Sequence, residues 1–386
     1  MRRVCFLFNH DQIHQVAHSL PIALKMVEMP GVEVTLAFGN ARLEEHVRGI
    51  AGPAFARFRT ARLTLNSGVS RALVSALDRW VPARKIALLR DNLDFFRAFD
   101  ALVVSEKTSL LLKTRYGLDQ LKIIHTGHGA GDRAIGYSKH SRLFDLALVA
   151  GPKAARRLEH EVGVDPARIR IVGYSKFDLY ADRRIASRFL DERPTVLYAP
   201  HPSPKLSSYY RMGKQVIDRI ARSGRFNLIF APHVMLMQRR WVVTVSPPAL
   251  AKVPRPDPQL LASSSVLFDP GSPASADMSY TNLADIYVGD VSSQIYEFLL
   301  RPRPTLHLNA HGVDWRGNRD FANWNTGPVI GPQDDILAGL DEAIATFSQY
   351  EPYQQVLFSD TFDLRAEPAG LRAARAILQY LGEGTT

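Results

Sequence analysis

Residues 284–304, with the sequence ADIYVGDVSSQIYEFLLRPRP, decide how the fold is interpreted. The apolar residues 286–288 predict a short buried strand, and the Gly-Asp pair that follows predicts a turn. Ser292 and Ser293 are candidate caps of a helix that is predicted to run to about Leu300. Backbone N–H groups and hydroxyls at such a turn favour binding of a phosphate or diphosphate. An ordinary helix cap beside a parallel sheet explains this stretch equally well.

Short apolar runs alternate with helical patterns along the chain. The alternation extends from a predicted strand at 3–8 to one at 169–172, and it begins again at 195–199 after a charged segment at 180–193. Such alternation predicts parallel, doubly wound sheets, which bind ligands where strands end and helices begin. We therefore predict an α/β protein with two Rossmann-like doubly wound domains that face a cleft, a GT-B-like architecture.

The predicted boundaries follow from where this alternation stops. The first domain is predicted to cover residues 1–180 and the second residues 194–365. Residues 366–386 are predicted to form a C-terminal helix that packs back on the first domain. The composition supports two full cores, because 386 residues with 46% hydrophobic and 22% charged side chains are typical of globular proteins.

Cysteine content and hydropathy limit the class of protein. The single cysteine, Cys5, excludes a disulfide framework and a multi-cysteine metal site, and it suits a reducing compartment. The N-terminus lacks a signal-peptide pattern, and no apolar run reaches the roughly 18 residues of a membrane span. We therefore expect a cytoplasmic protein.

The net charge of +10 indicates an anionic partner. No nucleic-acid-binding module is recognisable, so we expect no nucleic acid. Phosphorylated substrates or an anionic membrane surface fit better. The basic helical pattern at 73–97 predicts a helix with a solvated basic face, which is favoured, or a membrane-surface helix. The proline-rich segment 234–263 predicts a lid, a surface-docking segment or a disordered insertion.

Polar residues also fall at the ends of other predicted strands. His128 lies between two glycines, where an imidazole can approach a ligand and act as a general base. Lys176, His201 and His233 follow three further strands. Each histidine alone is more often structural, but their shared position at strand ends indicates one site. No metal-ligand motif, nucleophile elbow or P-loop occurs, so we predict no metal and no other cofactor.

These segments, in this order, resemble the CDP-glycerol glycerophosphotransferase family, the enzymes that prime or extend teichoic-acid-type polymers. The matching pieces within residues 120–310 are His128-Gly129, Gly173-Tyr-Ser-Lys-Phe-Asp178, Tyr198-Ala-Pro-His-Pro202, Ala231-Pro-His-Val234 and Asp290-Val-Ser-Ser-Gln-Ile-Tyr-Glu-Phe298. Three positions depart from the family pattern: the turn at Gly173 lacks a proline, no tryptophan follows Pro200, and Val234 replaces a proline. The departures bear on the substrate more than on the fold, because related transferases and hexosamine epimerases share the Ser-rich turn.

The resemblance implies that glycerol phosphate is transferred from CDP-glycerol to an acceptor hydroxyl and that CMP is released. It makes the first domain the acceptor domain and the second the nucleotide-donor domain. It implies that His128 is the general base on the acceptor hydroxyl and that His233 holds or protonates the diphosphate as charge builds on the leaving phosphate. The implied substrate-binding residues are Gly129, Lys176, His201, Asp290, Ser292, Ser293 and Glu297.

The partners implied are a nucleotide-diphosphate donor and a lipid-linked or polymer acceptor in cell-envelope polymer synthesis. A basic protein without a membrane span suits a peripheral enzyme on the inner face of the membrane. Two alternatives stay open. One is a GT-B glycosyltransferase or epimerase that acts on a UDP-linked hexosamine, and the other is a non-catalytic protein that binds nucleotides or membrane surfaces.

Overall fold

The computed structural model describes residues 1–10, 13–68, 70–71, 74, 83–127, 129–133, 137–238, 240–245 and 248–383. The chain divides into two compact units. Unit 1 comprises residues 1–129, 137–179 and 361–386, and unit 2 comprises residues 130–136 and 180–360.

Unit 1 is built on a parallel sheet of seven strands. They are β1 (Arg2–Phe8), β2 (Val32–Phe38), β3 (Arg59–Arg62), β4 (Ala101–Val104), β5 (Lys122–His125), β6 (Leu146–Val149) and β7 (Ile169–Ile171). Their order in the sheet is β3-β2-β1-β4-β5-β6-β7, and every neighbouring pair is parallel. The order therefore reverses direction between β1 and β4. Residues 4–8 of β1 are all buried, as expected for a strand that is covered on both faces.

Helices cover both faces of this sheet. The α-helices are Leu20–Met26, Ala41–Ala51, Ala83–Asp91, Leu93–Arg97, Leu111–Thr114, Pro152–Arg157, Phe177–Tyr180 and Ala369–Glu383. Shorter 3-10 helices are Ile13–His18, Gly52–Arg57, Thr108–Leu110, Lys139–Leu143 and Pro166–Arg168, and Leu158–Val162 is a π-helix.

The C-terminal helix belongs to the core of unit 1. Ala373, Ala374 and Ile377 are fully buried in the same apolar cluster as β1 and β2. The carboxylate of Asp178 accepts hydrogen bonds from the first two backbone N–H groups of this helix, at 3.0 and 2.7 Å, and so caps it.

Unit 2 is built on a second parallel sheet, of six strands. They are β8 (Thr195–Tyr198), β9 (Asn227–Phe230), β12 (Val266–Phe268), β13 (Ile286–Gly289), β14 (Thr305–Leu308) and β15 (Val329–Ile330). The order β12-β9-β8-β13-β14-β15 reverses between β8 and β13. A separate antiparallel ribbon is formed by β10 (Trp241–Val245) and β11 (Pro248–Lys252).

The helices of unit 2 connect these strands and pack on both faces. The α-helices are Tyr209–Arg222, Val234–Gln238, Pro258–Leu261, Ser279–Leu283, Gln294–Phe298, Ile336–Ala345 and Phe347–Thr361, and the 3-10 helices are Pro273–Ser275 and Arg319–Thr326. Their apolar side chains join Val196, Leu228 and Val288 of the sheet in one core cluster.

The predicted fold class is confirmed, because both units are α/β with doubly wound parallel sheets. One detail is wrong: the helix after Ser293 ends at Phe298 rather than near Leu300. Of the three alternatives for segment 234–263, a disordered insertion does not hold for its described residues, which form two short helices and the ribbon. Much of the predicted basic helix at 73–97, including Trp80, lies outside the described residues. No helix among the described residues is both long and apolar enough to cross a membrane.

Candidate functional site

The candidate site lies at the carboxyl edge of the unit 2 sheet. The strand order reverses between β8 and β13, and ligands of doubly wound sheets bind in the crevice at such a reversal. His201 follows β8, His233 follows the neighbouring β9, and residues 290–293 follow β13. The structure therefore brings these sequence-predicted residues to one edge of one sheet.

Asp290 is a fully buried anchor beneath this edge. Its carboxylate accepts hydrogen bonds from the backbone N–H of His201 at 3.0 Å and from the backbone N–H and hydroxyl of Ser208 at 2.6 and 2.9 Å. Its carbonyl accepts from the indole N–H of Trp324 at 3.0 Å. Burial raises the pKa of Asp290 to about 6, although these hydrogen bonds act in the opposite direction. The carboxylate thus positions the loop after β8 and the start of the helix Tyr209–Arg222.

His201 is held in one tautomer by its own loop. Its Nδ1 accepts a hydrogen bond from the backbone N–H of Ser203 at 3.1 Å, so the neutral ring carries its proton on Nε2. Burial, followed by the neighbouring His233 and Arg133, holds the pKa of His201 well below its usual range. The ring is therefore a neutral hydrogen-bond donor near pH 7.

His233 has the same arrangement on the next strand. Its Nδ1 lies 3.3 Å from the backbone N–H of Met235, which places the ring proton on Nε2. The backbone N–H of His233 donates to the carbonyl of Pro200 at 3.1 Å, and this bond joins the loop after β9 to the loop after β8. Burial lowers the pKa of His233 to about 4. The ring centroids of His201 and His233 lie 6.4 Å apart, so the site holds two neutral imidazole donors side by side.

Sequence reasoning missed Arg133, which adds a positive charge to this edge. Arg133 belongs to unit 2, is half-buried, and acts electrostatically on His201. Burial lowers the pKa of Arg133, and Asp320 opposes that shift. The neighbouring Asp132 anchors this segment, because its carboxylate accepts from the hydroxyl of Tyr296 and, at 3.2 Å, from a backbone N–H of the 3-10 helix Arg319–Thr326.

The serines of the β13 turn differ in exposure. Ser292 is buried, and its hydroxyl lies 3.5 Å from the backbone N–H of Gln294. Ser293 is exposed and makes no side-chain cap of the short helix Gln294–Phe298. Gly131 packs directly against Ser293, because a Cβ added to this glycine would lie 3.5 Å from the Cβ of the serine.

A small pocket opens beside this turn. Its lining includes Glu297 and Gln294 from the helix after β13, Tyr280, and the ends of β8 and β9. Met278 also lines it, in the left-handed backbone region with φ of 64°, an unfavourable conformation for a residue with a side chain. Buried Glu297 thus lines this pocket together with Gln294 of the same helix.

The remaining predicted residues belong to unit 1 or are outside the described chain. His128 lies outside the described residues. Gly129 is exposed in unit 1, and Lys176 is buried in unit 1 just before the helix Phe177–Tyr180. No cluster of three or more metal-ligating side chains occurs in the described part of the chain.

Unit 1 has a second polar edge that the sequence reasoning did not identify. It lies where the strand order of that sheet reverses, between β1 and β4. Asn9 and His10 follow β1 and are both buried. The His10 ring lies 3.4 Å from the hydroxyl of Ser105, which follows β4. Within the described residues, neither polar side-chain atom of Asn9 has a hydrogen-bond partner.

Comparison with known proteins places this chain by its fold. No family model and no curated protein matches the sequence. Among solved structures, a variant of the wall teichoic acid polymerase TagF superposes with a TM-score of 0.59 at 12% identity, covering 99% of this chain and 89% of that one. A UDP-N-acetylglucosamine 2-epimerase gives 0.59 at 12% identity, covering 99% and 97%. The S. aureus MnaA–UDP co-structure gives 0.56 at 11% identity, also covering 99% and 97%. The chain therefore has a GT-B-like fold.

Proposed function

We propose that this protein is a transferase that uses a nucleotide-diphosphate donor, which binds at the carboxyl edge of the unit 2 sheet. The observation that carries the proposal is the set of donors at the reversal between β8 and β13. His201 and His233 both carry a proton on Nε2, and Arg133 adds a positive charge beside them. Two neutral imidazole donors and a positive charge grouped at one half-buried sheet edge suit a diphosphate.

The helix after β13 contributes less to this proposal than its sequence suggests. It has five residues, and a helix this short supplies only a small dipole. The imidazoles and Arg133 therefore provide most of the anion binding, while Ser293 contributes a hydroxyl. Glu297 in the adjoining pocket is the proposed partner of a ribose hydroxyl.

The proposed donor is CDP-glycerol, supported by the order of matching segments and by the shared fold of TagF, one structure of which comes from a CDPG soak. In the proposed step an acceptor hydroxyl oxygen bonds to the phosphorus that carries glycerol. The bond from that phosphorus to the bridging oxygen breaks, and CMP leaves with that oxygen. His128 takes the proton of the acceptor hydroxyl, and the His233 imidazole hydrogen-bonds the leaving phosphate.

A second candidate is a transferase or epimerase that acts on a UDP-linked hexosamine. The fold neighbours favour it, because they include a 2-epimerase and a structure solved with UDP. The product separates the two candidates: an epimerase returns an epimeric sugar, whereas a transferase releases a free nucleotide in step with a modified acceptor.

The donor is identified by incubating the purified protein with CDP-glycerol and with UDP-, GDP- and CMP-sugars. Release of CMP from CDP-glycerol is the expected result. If no donor is turned over and none raises the melting temperature, the proposal is wrong. Ligand binding without any product would instead identify a non-catalytic binding protein.

Variants assign the roles of the residues. Arg133→Gln should weaken donor binding by about tenfold to a hundredfold, because a hydrogen bond to a charged group contributes about 1.5–3 kcal/mol. Arg225→Gln is the matched control, since Arg225 is an exposed arginine of unit 2 that pairs with Asp341. His128→Ala should abolish transfer and leave donor binding nearly unchanged. Ser292→Ala combined with Ser293→Ala should weaken donor binding, and equal losses in every variant would indicate unfolding instead.

A further inference from the structure

The antiparallel ribbon β10–β11 has one buried and one exposed face. Val242 packs into the core of unit 2 with 6% of its surface exposed. Its neighbours point the other way: Trp241 is 52% exposed, Val243 69%, and Leu250 66%. Val243 lies directly opposite Leu250 in the register, so these two side chains form one apolar pair on the outer face.

Basic residues lie on this ribbon and directly beside it in the chain. Trp241 lies opposite Lys252 in the register, and Arg240, Lys252 and Arg255 are all exposed. No Asp or Glu occurs anywhere in residues 219–256. In this region of the chain, the exposed apolar side chains are thus accompanied by basic residues and by no acidic ones.

We propose that the outer face of this ribbon docks on an anionic lipid bilayer. Tryptophan is favoured at the interface between lipid headgroups and hydrocarbon, and Val243 and Leu250 beside it can enter the outermost acyl region. The basic side chains then lie at the level of the anionic headgroups, where each strengthens binding by about fivefold. This proposal is independent of the proposed transfer reaction, since it concerns a different surface.

Physical size favours a bilayer over a protein partner. Three exposed side chains on a two-stranded ribbon present on the order of a few hundred Å² of apolar surface. A stable protein interface needs roughly 800 Å² from each partner, whereas a bilayer receives a few apolar side chains and adds electrostatic attraction over a wide area. The absence of acidic residues from the ribbon and from its flanking sequence 219–256 suits an anionic surface.

The direct test places a reporter on the ribbon of the full chain. Val243→Cys allows labelling with an environment-sensitive dye, because the native Cys5 is fully buried. Phosphatidylcholine vesicles with about one third phosphatidylglycerol should increase and blue-shift the emission, and pure phosphatidylcholine vesicles should not. Val356→Cys is the matched control, since Val356 is also in unit 2 and is 64% exposed on another element. An unchanged spectrum at Val243, or the same response at both positions, would overturn the proposal.

Sedimentation with vesicles tests the apolar and the electrostatic contributions to binding separately. Val243→Ser combined with Leu250→Ser should reduce vesicle affinity at least tenfold, and Lys252→Glu should reduce both affinity and its dependence on salt. Folding is checked by circular dichroism and the melting temperature, which these exposed substitutions should leave nearly unchanged. If the folded variants sediment with anionic vesicles as the wild type does, the ribbon does not dock on lipid. A change in oligomeric state in the first variant would also contradict the proposal and identify the ribbon as a contact between copies.

Discussion

The half-buried, neutral imidazole of His233 should make the stability of the protein fall in mild acid. Burial lowers its pKa to about 4 from an ordinary value of 6.5. Between these two values the unfolded chain binds a proton that the folded protein does not bind. The free energy of unfolding therefore rises with pH across this interval, and it is lost as the pH falls from about 6.5 through 4.

The magnitude follows from the same two pKa values. A shift of one pKa unit corresponds to about 1.4 kcal/mol, so the full effect of His233 is about 3 kcal/mol. Between pH 7 and pH 5 the loss from this histidine alone is about 2 kcal/mol. His307 adds to the loss in the wild type, because it is fully buried and its pKa is lowered to about 3.

Urea unfolding at several pH values measures this effect. Tryptophan fluorescence reports mainly on unit 2, since Trp241, Trp315 and Trp324 lie there. Between pH 7 and pH 5, His233→Gln should lose about 2 kcal/mol less free energy of unfolding than the wild type. His160→Gln, at an exposed histidine of unit 1, is the control and should follow the wild type. Parallel pH profiles for His233→Gln and the wild type would contradict the lowered pKa of His233 in the folded protein.

Three further predictions concern packing and capping. Asp290→Ala should reduce the urea-unfolding free energy by about 3 kcal/mol, because it leaves the buried N–H of Ser208 and the half-buried N–H of His201 without their acceptor. Asp290→Asn should cost less. A loss below about 1 kcal/mol in the alanine variant would contradict the anchoring role. Asp178→Ala should cost about 1 kcal/mol in a thermal melt by removing the cap of the C-terminal helix, and an unchanged melt would contradict that cap. Gly327→Ala should destabilise the protein by about 1–3 kcal/mol, because the added Cβ would lie 2.0 Å from the carbonyl oxygen of Thr305 in β14. Gly49→Ala, at an open position of the helix Ala41–Ala51, should instead stabilise it by about 0.5–1 kcal/mol. Similar effects of the two substitutions would contradict the close packing at Gly327.

The sequence was sufficient to predict the fold class and to place His201, His233 and the turn after β13 at one edge of a sheet. Alternating apolar runs and helical patterns predict parallel sheets, and polar residues directly after a strand must lie at its carboxyl end. His201, His233 and the turn after β13 were found by this reasoning. The contacts of each residue with distant parts of the chain could not be predicted from the hydrophobic pattern.

Asp290 is the clearest example of a residue whose contacts differ from what its sequence position suggests. Its sequence position suggests a residue that faces a ligand, but its carboxylate is occupied by donors 82 and 89 positions earlier in the chain. Arg133 was missed for the same reason, because it precedes His201 by more than sixty residues and no local pattern links them. The ribbon was missed because its prolines, including Pro248 at the first position of β11, disfavour strands in sequence patterns.

A crystal structure of the full chain with CDP or UDP bound is the decisive test of the proposed nucleotide site. Diphosphate oxygens are expected within hydrogen-bonding distance of the Nε2 atoms of His201 and His233 and of the Arg133 guanidinium, with the ribose toward Glu297. A nucleotide bound away from the carboxyl ends of β8 and β13, or a diphosphate that none of these three side chains contacts, would contradict it.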